Sequence, residues 1–408
     1  MMKYFLILLL PLFLNANLTY ESNYAKELKI LETFNIEASF IYDPIMNEMR
    51  EGKNTMASED FFLKRMEGAS LYVPAIKNIL AKHNVPQEFL YLAMAESGFS
   101  NKTTSNKSAS GLWQFMPATA KRMNLQINEY VDERQDFIKS TEAASKYLNK
   151  LYNQFGKWYL AALAYNCGSG KLTKAIEEAG TDDLEVLLDP QAKYISLESR
   201  TFIRKIVALS LMGNDEQFLL KNEYEYLLNR ANVNTVSTIK VAKGESLQRI
   251  SKIIDVPLAD LQHLNRHLKH DIVPTDKQNY SVHIPYKKLA EFNQNYKSEP
   301  IKNNYKIHVV KKGDTLLHLS KTYGVSSKSI MDFNNLKSNH IKPKQTLIMP
   351  MQSTQVSKKL SKKIHVVQKG DTLSSIAMAY KVSVQDIKNK NNLKNDALKI
   401  GINLEIHE

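Results

Sequence analysis

Glu96 is the residue whose type and setting best suit it to acid catalysis. It follows Val85, Phe89 and Leu92 at helical spacing, so a helix that begins near Pro86 would place its carboxyl group on the apolar face, near the C-terminal end. Burial there and the negative end of the helix dipole both raise the pKa of a carboxyl group, as a general acid at neutral pH requires. Periodicity alone equally allows a glutamate that ends the helix and faces water.

The segment after Glu96 has the composition of a sugar-binding surface. No Asp or Glu occurs again until Glu129, and residues 101–110 are mostly small and polar. Residues 111–117, Gly-Leu-Trp-Gln-Phe-Met-Pro, mix flat apolar groups with one amide, and residues 164–168, Ala-Tyr-Asn-Cys-Gly, add a phenol and a second amide. Sugars stack on apolar faces, and their hydroxyl and acetamide groups need donors and acceptors. The pattern therefore favours a glycan site beside Glu96.

The lack of a second acid near Glu96 in sequence bears on the reaction. Ordinary glycosidases use two carboxyl groups, one as acid and one as base or nucleophile. A hydroxyl or acetamide of the substrate could replace the second group. Alternatively Asp132, Glu133 or Asp136 could fold close to Glu96, and hydrolysis would then be possible.

The C-terminal part of the chain contains an internal repeat. Residues 308–316 and 365–373 align without gaps, and the match continues into Asn-Asn-Leu at 334–336 and 391–393. A weaker copy begins at Ile239, with one asparagine, Asn265, in place of the pair. Each copy predicts the order strand, turn, helix, loop, helix, strand. The copies resemble LysM domains, which bind N-acetylglucosamine-containing glycans. The resemblance implies glycan binding by the two good copies, against the alternative of mere spacers, and leaves it open for the weaker copy.

The order of the earlier motifs resembles the soluble lytic transglycosylases of the goose-lysozyme-like superfamily. The resemblance rests on Glu96-Ser97, on the segments 111–117 and 164–168, and on further matches at 132–134, 140–148 and 155–158. Several motifs in the family order are a more specific signal than any one alone. Together with the repeats, the arrangement is most similar to the membrane-bound lytic murein transglycosylase D group.

This resemblance implies a reaction in which Glu96 is the single acid/base. Glu96 would protonate the β-1,4 glycosidic oxygen between N-acetylmuramic acid and N-acetylglucosamine. It would then take the proton of the muramoyl C6 hydroxyl as that hydroxyl closes on C1, leaving a 1,6-anhydromuramoyl end. The residues implied to bind the substrate are Ser97, Ser105, Gln114, Met116, Tyr165 and Asn166. Two positions depart from the family pattern, Cys167 in place of a small residue and Phe202 in place of a tyrosine.

Two other functions stay open on the sequence. One is a hydrolytic muramidase of the same fold, and the other is a non-enzymatic LysM protein that binds the cell wall. The expected partner in all three cases is the glycan strand of peptidoglycan. The formal net charge of +13 favours an anionic surface. Because the lysines are spread through linkers and modules, we do not expect nucleic acid as a partner.

The start of the chain predicts export. A basic start, an apolar run over 4–14 and the small Ala16 are typical of a signal peptide, and the run is too short to span a bilayer. An uncleaved anchor or a buried helix are the alternatives. The single cysteine, Cys167, excludes an intrachain disulfide, and no cysteine follows the signal to carry a lipid. We therefore expect a protein of the periplasm or cell envelope, without stable membrane insertion after signal cleavage.

No cofactor or metal is expected from the sequence. His263, His267 and His270 could share a helical face, but the His-Glu-x-x-His frame of a zinc helix is absent, and a solvated face is the favoured interpretation. No phosphate-binding loop is visible. Cys167 has no evident histidine partner that would make it a nucleophile.

The predicted fold class is multidomain α + (α+β), a helical lysozyme-like catalytic domain followed by small βααβ LysM modules. The expected divisions are a signal peptide at 1–16, an N-terminal helical segment at 17–69, the catalytic domain at 70–230, a degenerate LysM-like module at 237–286, a linker at 287–304, LysM at 305–350, a linker at 351–363 and LysM at 364–408.

Overall fold

The structure is a computed structural model. It describes residues 24–50, 58–100, 108–224, 227, 235–274, 279–297, 304–334, 336–351, 362–368, 370–380, 382–391, 393 and 395–407. The chain divides into two compact units, Met1–Ile301 and Lys302–Glu408. The predicted signal peptide at 1–16 and most of the predicted linker at 351–363 lie outside the described residues.

Helices dominate the first unit as far as Lys221, which confirms the predicted helical domain. They are α1 (24–33), α2 (Pro44–Arg50), α3 (Glu59–Glu67), α4 (Val73–Lys82), α5 (Leu90–Ser97), α6 (Pro117–Arg122), α7 (Phe137–Phe155), α8 (Trp158–Cys167), α9 (Ser169–Ala179), α10 (Leu184–Leu187), α11 (Leu197–Met212) and α12 (Glu216–Lys221). Among the described residues, no helix has the length and apolar character needed to cross a membrane.

The longest of the described helices, α7, packs against α4 and α8. Asp136 caps its N-terminus, because one side-chain oxygen accepts the backbone N–H groups of Ile138 and Lys139, each at 3.0 Å. Gly156 ends the helix in the left-handed conformation, with φ of 77°. Both ends of α7 are therefore fixed by local sequence.

Helix α5 starts later than the sequence indicates. Pro86 is extended, with φ −52° and ψ 136°, and a 3-10 turn over Gln87–Phe89 precedes the α-helix, which begins at Leu90. The residues from Leu90 to Met94 are all buried, so α5 is enclosed on every side instead of presenting one stripe. The hydrophobic periodicity of α5 cannot show that neighbouring elements cover this helix on every side.

The first LysM-like module belongs to the same unit as the helical domain. Its strands β1 (Val236–Ala242) and β2 (Asn279–Pro285) pair antiparallel, with Ile239 opposite Val282. Two helices, α13 (Leu247–Ile253) and α14 (Leu258–Leu264), lie between the strands.

The predicted linker at 287–304 is wrong for its first part. Residues Leu289–Asn295 form a further helix, α15, and Phe292 is 5% exposed in the core of the module. The ring of Phe292 stacks on Tyr296 with 4.5 Å between centroids. Leu289, Phe292 and Tyr296 have helical spacing, but the polar composition around them favoured the linker interpretation.

The module packs closely on the helical domain. Val131, which precedes α7, is buried in the module's hydrophobic core. Backbone hydrogen bonds join the two parts, from Asp132 N–H to the His267 carbonyl at 2.9 Å and from Lys269 N–H to the Tyr130 carbonyl at 3.0 Å. The module is therefore held by main-chain pairing as well as by apolar contact.

The second unit contains two βααβ modules, as the repeat predicts. The first has strands β3 (Asn304–Val309) and β4 (Thr346–Met351) around helices α16 (Leu316–Tyr323) and α17 (Ser327–Phe333). The second has strands β5 (Lys362–Val366) and β6 (Asn403–His407) around helices α18 (Leu373–Tyr380) and α19 (Val384–Lys390). The strands of each module pair antiparallel.

Candidate active site

Glu96 lies in the last turn of α5, and Gly98 ends that helix. Gly98 has a φ of 59° and donates its backbone N–H to the Met94 carbonyl at 2.9 Å. A β-carbon at Gly98 would lie 2.8 Å from Nε of Arg65. The glycine therefore permits both the left-handed turn and the close approach of Arg65 to that turn.

The surroundings of Glu96 favour its protonated form. The side chain is partly buried, and burial raises the pKa of its carboxyl group from 4.5 to about 7, with a further increase from the negative charge of Glu198. The ammonium group of Lys205 acts in the opposite direction on the same pKa. Near neutral pH both the protonated and the ionised forms of the Glu96 carboxyl group are therefore populated, as acid/base catalysis requires.

Tyr165, on α8, lies near this carboxyl group. Burial raises the pKa of its phenol well above 10, and the charge of Glu96 raises it further. The Tyr165 hydroxyl donates to the Trp113 carbonyl at 2.6 Å, and the Trp113 indole N–H donates to Thr141 of α7 at 2.9 Å. The phenol is therefore neutral. Its bond to the Trp113 carbonyl, and the bond from Trp113 to Thr141, connect it to the 111–117 segment and to α7.

The 111–117 segment forms a tight turn around Gly111. Gly111 has a φ of 80°, and a β-carbon there would lie 1.8 Å from the Arg134 carbonyl oxygen. Gln114 has a φ of 45°, and its side-chain amide donates to the Gly111 carbonyl at 2.7 Å. Met116 follows with 43% of its surface exposed. The turn thus fixes the backbone of Gln114 and leaves Met116 accessible.

The other predicted substrate-binding residues have different environments. Ser97 is buried and donates its hydroxyl to the Ala93 carbonyl at 3.0 Å within α5. The side-chain oxygen of Asn166 accepts the Ser199 hydroxyl at 2.7 Å, which ties α8 to the start of α11. Ser105 lies outside the described residues. The hydroxyl of Ser97 is therefore used in a hydrogen bond within α5. The side chain of Asn166 is bonded to α11, the helix that carries Glu198.

The three acids considered as a second carboxylate have other partners. Asp132 pairs with Arg134 at 2.7 Å, Glu133 pairs with Lys139, and Asp136 accepts from the ring of His283 at 2.9 Å. The acid that acts on Glu96 is instead Glu198, an exposed residue of α11. Sequence reasoning missed Glu198 and Lys205 because they are about a hundred residues from Glu96, and no local motif links them to it.

The two residues that depart from the family pattern, Cys167 and Phe202, are both at least partly buried. Cys167 is partly buried at the end of α8, and burial raises the pKa of its thiol, so the reactive thiolate is disfavoured. Phe202, on α11, is 8% exposed and belongs to the hydrophobic core.

A cavity of about 500 Å³ lies elsewhere in this unit, lined in part by Lys26, Asn47 and Met212, and none of the predicted site residues lines it.

The predicted solvated face of three histidines is wrong. His267 is fully buried, His263 stacks on Tyr72 at 5.4 Å between ring centroids, and the His270 ring lies 3.1 Å from the Glu129 carbonyl. Because α14 and its following turn face the helical domain, this histidine surface is covered. His267, His283 and Asp136 lie together as a group whose geometry could hold a metal ion.

Three family models match separate parts of the chain. The Transglycosylase SLT domain matches residues 74–187, and the LysM domain matches 308–350 and 365–406. The model described as Lytic transglycosylase MltD, LysM-like domain matches 235–301, a range that includes α15. The chain therefore contains a transglycosylase domain of the SLT type followed by LysM-type domains.

Membrane-bound lytic murein transglycosylase D of Escherichia coli K12 is 27% identical over 341 residues, which cover 78% of this chain and 72% of that protein. The autolysin of Enterococcus faecalis is 31% identical over 185 residues, covering 43% of this chain and 24% of the autolysin. The soluble lytic transglycosylase SLT70 of E. coli is 20% identical, with a TM-score of 0.30, over 52% of this chain and 30% of SLT70.

Proposed function

We propose that this protein cleaves the β-1,4 bond between N-acetylmuramic acid and N-acetylglucosamine in murein, and forms 1,6-anhydromuramoyl ends. The observation that carries the proposal is the partly buried carboxyl group of Glu96, whose pKa is raised to about 7. Such a group can donate a proton to the glycosidic oxygen and then, as a carboxylate, accept the proton of the C6 hydroxyl. The C6 oxygen bonds to C1 as the glycosidic bond breaks, so no water is consumed.

Tyr165 supports this reaction through its neutral phenol. Its hydroxyl already donates to the Trp113 carbonyl, so it lies at a fixed place close to Glu96. Positive charge develops on the sugar ring in an oxocarbenium-like transition state, and the phenol oxygen can contribute a dipole there. Gln114, Met116, Asn166, Ser97 and Ser105 are proposed as further sugar contacts, the last two on the family resemblance alone.

Product analysis by mass spectrometry tests the proposal. Purified sacculi digested with the wild type should yield anhydromuropeptides, and Glu96→Gln should yield none while it still binds sacculi. Glu177→Gln, an exposed residue of α9, is the matched control and should give wild-type products. Lysis by Glu96→Gln at the wild-type rate would exclude the role of Glu96.

A hydrolytic muramidase is the second candidate, because Glu198 acts electrostatically on Glu96. If Glu198 activates water, the products have reducing ends and Glu198→Gln abolishes them. If the transglycosylase proposal holds, Glu198→Gln keeps the anhydro products. The same mass spectra therefore separate the two reactions.

We further propose that the enzyme works in the cell envelope and that the modules at 308–350 and 365–406 bind its glycan substrate. The predicted signal peptide and the name of the E. coli relative support this location. Cell fractionation with N-terminal sequencing of the mature protein tests it, and recovery of an uncleaved chain in the cytoplasmic fraction would contradict it.

A further inference from the structure

A buried group of three side chains lies where the first LysM-like module meets the helical domain. Asp136 precedes α7, His267 follows α14, and His283 lies on β2, so more than 130 residues separate the aspartate from the histidines. All three side chains are 0% exposed. The group is distinct from the Glu96 site, since Asp136 lies in the range matched by the SLT domain and the two histidines lie in the range matched by the LysM-like domain.

The group contains polar atoms that lack partners within the described part of the chain. These atoms are Oδ2 of Asp136 and both ring nitrogens of His267, and they are buried. A buried polar atom without a partner destabilises the folded state, and more so when it is charged. Nε2 of His267 lies 3.7 Å from Oδ2 of Asp136, which is too long for a hydrogen bond.

The remaining atoms of the group are fixed by hydrogen bonds. Nδ1 of His283 lies 3.0 Å from the Thr238 hydroxyl, and Nε2 lies 2.9 Å from Oδ1 of Asp136. Oδ1 of Asp136 also accepts two backbone N–H groups at the start of α7. If a metal ion replaced the hydrogen bond between Nε2 and Asp136, the His283 ring would carry its proton on Nδ1 and donate it to the Thr238 hydroxyl, which leaves the Nε2 lone pair for the ion, as at metal-bound histidines.

We propose that Asp136, His267 and His283 bind a zinc ion. One ligand atom of each residue lies within 4.8 Å of the others. Tetrahedral ligands about 2.0–2.1 Å from zinc lie roughly 3.3 Å apart, so small side-chain shifts suffice. Two imidazoles and one carboxylate suit zinc better than calcium or magnesium, which prefer oxygen.

The charges around the group are compatible with a divalent cation. Asp136 supplies one negative charge, and the nearby Glu133 and Lys139 pair with each other. Because the ligands come from both sides of the contact, the ion would join the module to α7 and bind as the two parts fold together. The ion would have a structural role, because it would fix the start of α7. The same helix carries Thr141, which accepts the hydrogen bond of the Trp113 indole.

Metal analysis of the full, tag-free chain tests the proposal. Protein stripped with a chelator and reconstituted should hold about one zinc ion per chain. Its thermal midpoint should rise with zinc and fall again with chelator. His267→Gln should hold less than about a tenth of an equivalent. The exposed His340→Gln is the matched control and should keep the wild-type amount.

A spectroscopic test on the wild type covers the case in which His267→Gln does not fold. Cobalt(II) bound to this ligand set should show the strong visible absorption of a four-coordinate ion. A reconstituted wild type without stoichiometric zinc, or with only the weak spectrum of hydrated cobalt, would overturn the proposal. Equal loss of zinc from the His340→Gln control would also overturn it.

Discussion

The protonation of Glu96 depends on two charged residues of α11. Glu198 raises the pKa of the Glu96 carboxyl group, and Lys205 lowers it. The pKa of the Glu96 carboxyl group is therefore set in part by a helix that lies far from Glu96 in sequence. Mutation of either residue should move the pH range of activity without removing the donor.

We expect Glu198→Gln and Lys205→Gln to shift the pH profile in opposite directions. Without Glu198 the pKa of Glu96 falls, so the alkaline limb of kcat/KM moves to lower pH. Without Lys205 that pKa rises and the limb moves to higher pH. Initial rates on sacculi between pH 5 and pH 9 measure both shifts. Shifts of the same sign in both variants would contradict this electrostatic account.

Glu96 should also make stability depend on pH. Its pKa is near 4.5 in the unfolded chain and about 7 in the folded protein, so the free energy of unfolding falls as pH rises through this interval. Above pH 8 the full cost is up to about 3 kcal/mol. Glu96→Gln should be more stable than the wild type by up to about that amount at pH 8.5, with little difference near pH 4.

Urea denaturation of both proteins at the two pH values measures this difference. Glu177→Gln should show no such pH-dependent gain, because its side chain is exposed. A constant difference between wild type and Glu96→Gln at all pH values would show that ionisation of Glu96 is not the cause.

The turn around Gly111 illustrates how an element shapes the site. A β-carbon at Gly111 would overlap the Arg134 backbone, and the positive φ disfavours other residues. We expect Gly111→Ala to lower the free energy of unfolding by at least about 2 kcal/mol. Gly170→Ala, on α9 with open space around it, should be neutral or slightly stabilising. Thermal unfolding compares the two, and equal effects would exclude the steric account.

The LysM-type modules share a clamp built on one asparagine. Asn391 donates to the Glu405 carbonyl at 2.9 Å and accepts the Glu405 N–H at 2.7 Å, which joins α19 to β6. Asn334 makes the same pair of bonds with Ile348. Asn265 of the weaker copy does so with His283. The first residue of the Asn-Asn pair is therefore structural, and the weaker copy retains it.

Loss of this clamp should destabilise the last module. Asn391→Ala removes both hydrogen bonds from the side chain to the Glu405 backbone, and we expect a loss of about 2–3 kcal/mol in the free energy of unfolding. Asn389→Ala, on the exposed side of α19, is the control and should change stability by less than about 0.5 kcal/mol. Hydrogen exchange of β6 measures the difference. Unchanged protection in Asn391→Ala would contradict the clamp.

Local sequence predicted part of the fold and of the site well. The helix that carries Glu96 and the βααβ order of the repeats follow from periodicity and turn residues within single segments. The action of Glu198 on Glu96, the burial of His267 and the packing of α15 did not follow. In each case the deciding partner lies on a distant segment, and periodicity shows only which face is apolar, not what covers it.

At the scale of the whole molecule, charge is divided unevenly between the two units. Residues 302–408 contain 19 of the 55 Lys and Arg residues but only 7 of the 42 Asp and Glu residues. Nearly all of the net charge of +13 therefore belongs to the unit that contains the two βααβ repeats. Murein peptide stems carry carboxylates, so this unit suits electrostatic attachment as well as glycan recognition.

A chain ended after Ile301 should separate attachment from chemistry. We expect it to cleave short soluble glycan fragments at about the wild-type rate, because Glu96 and Tyr165 lie in the first unit. Its retention on insoluble sacculi should fall by about a hundredfold or more, since linked sites raise effective concentration. Retention of the full chain should weaken as salt rises from about 0.05 to 0.5 M, as screening shortens the range of charge attraction. Equal retention of both chains in a sedimentation assay at low salt would show that the repeats do not attach the enzyme to its polymer.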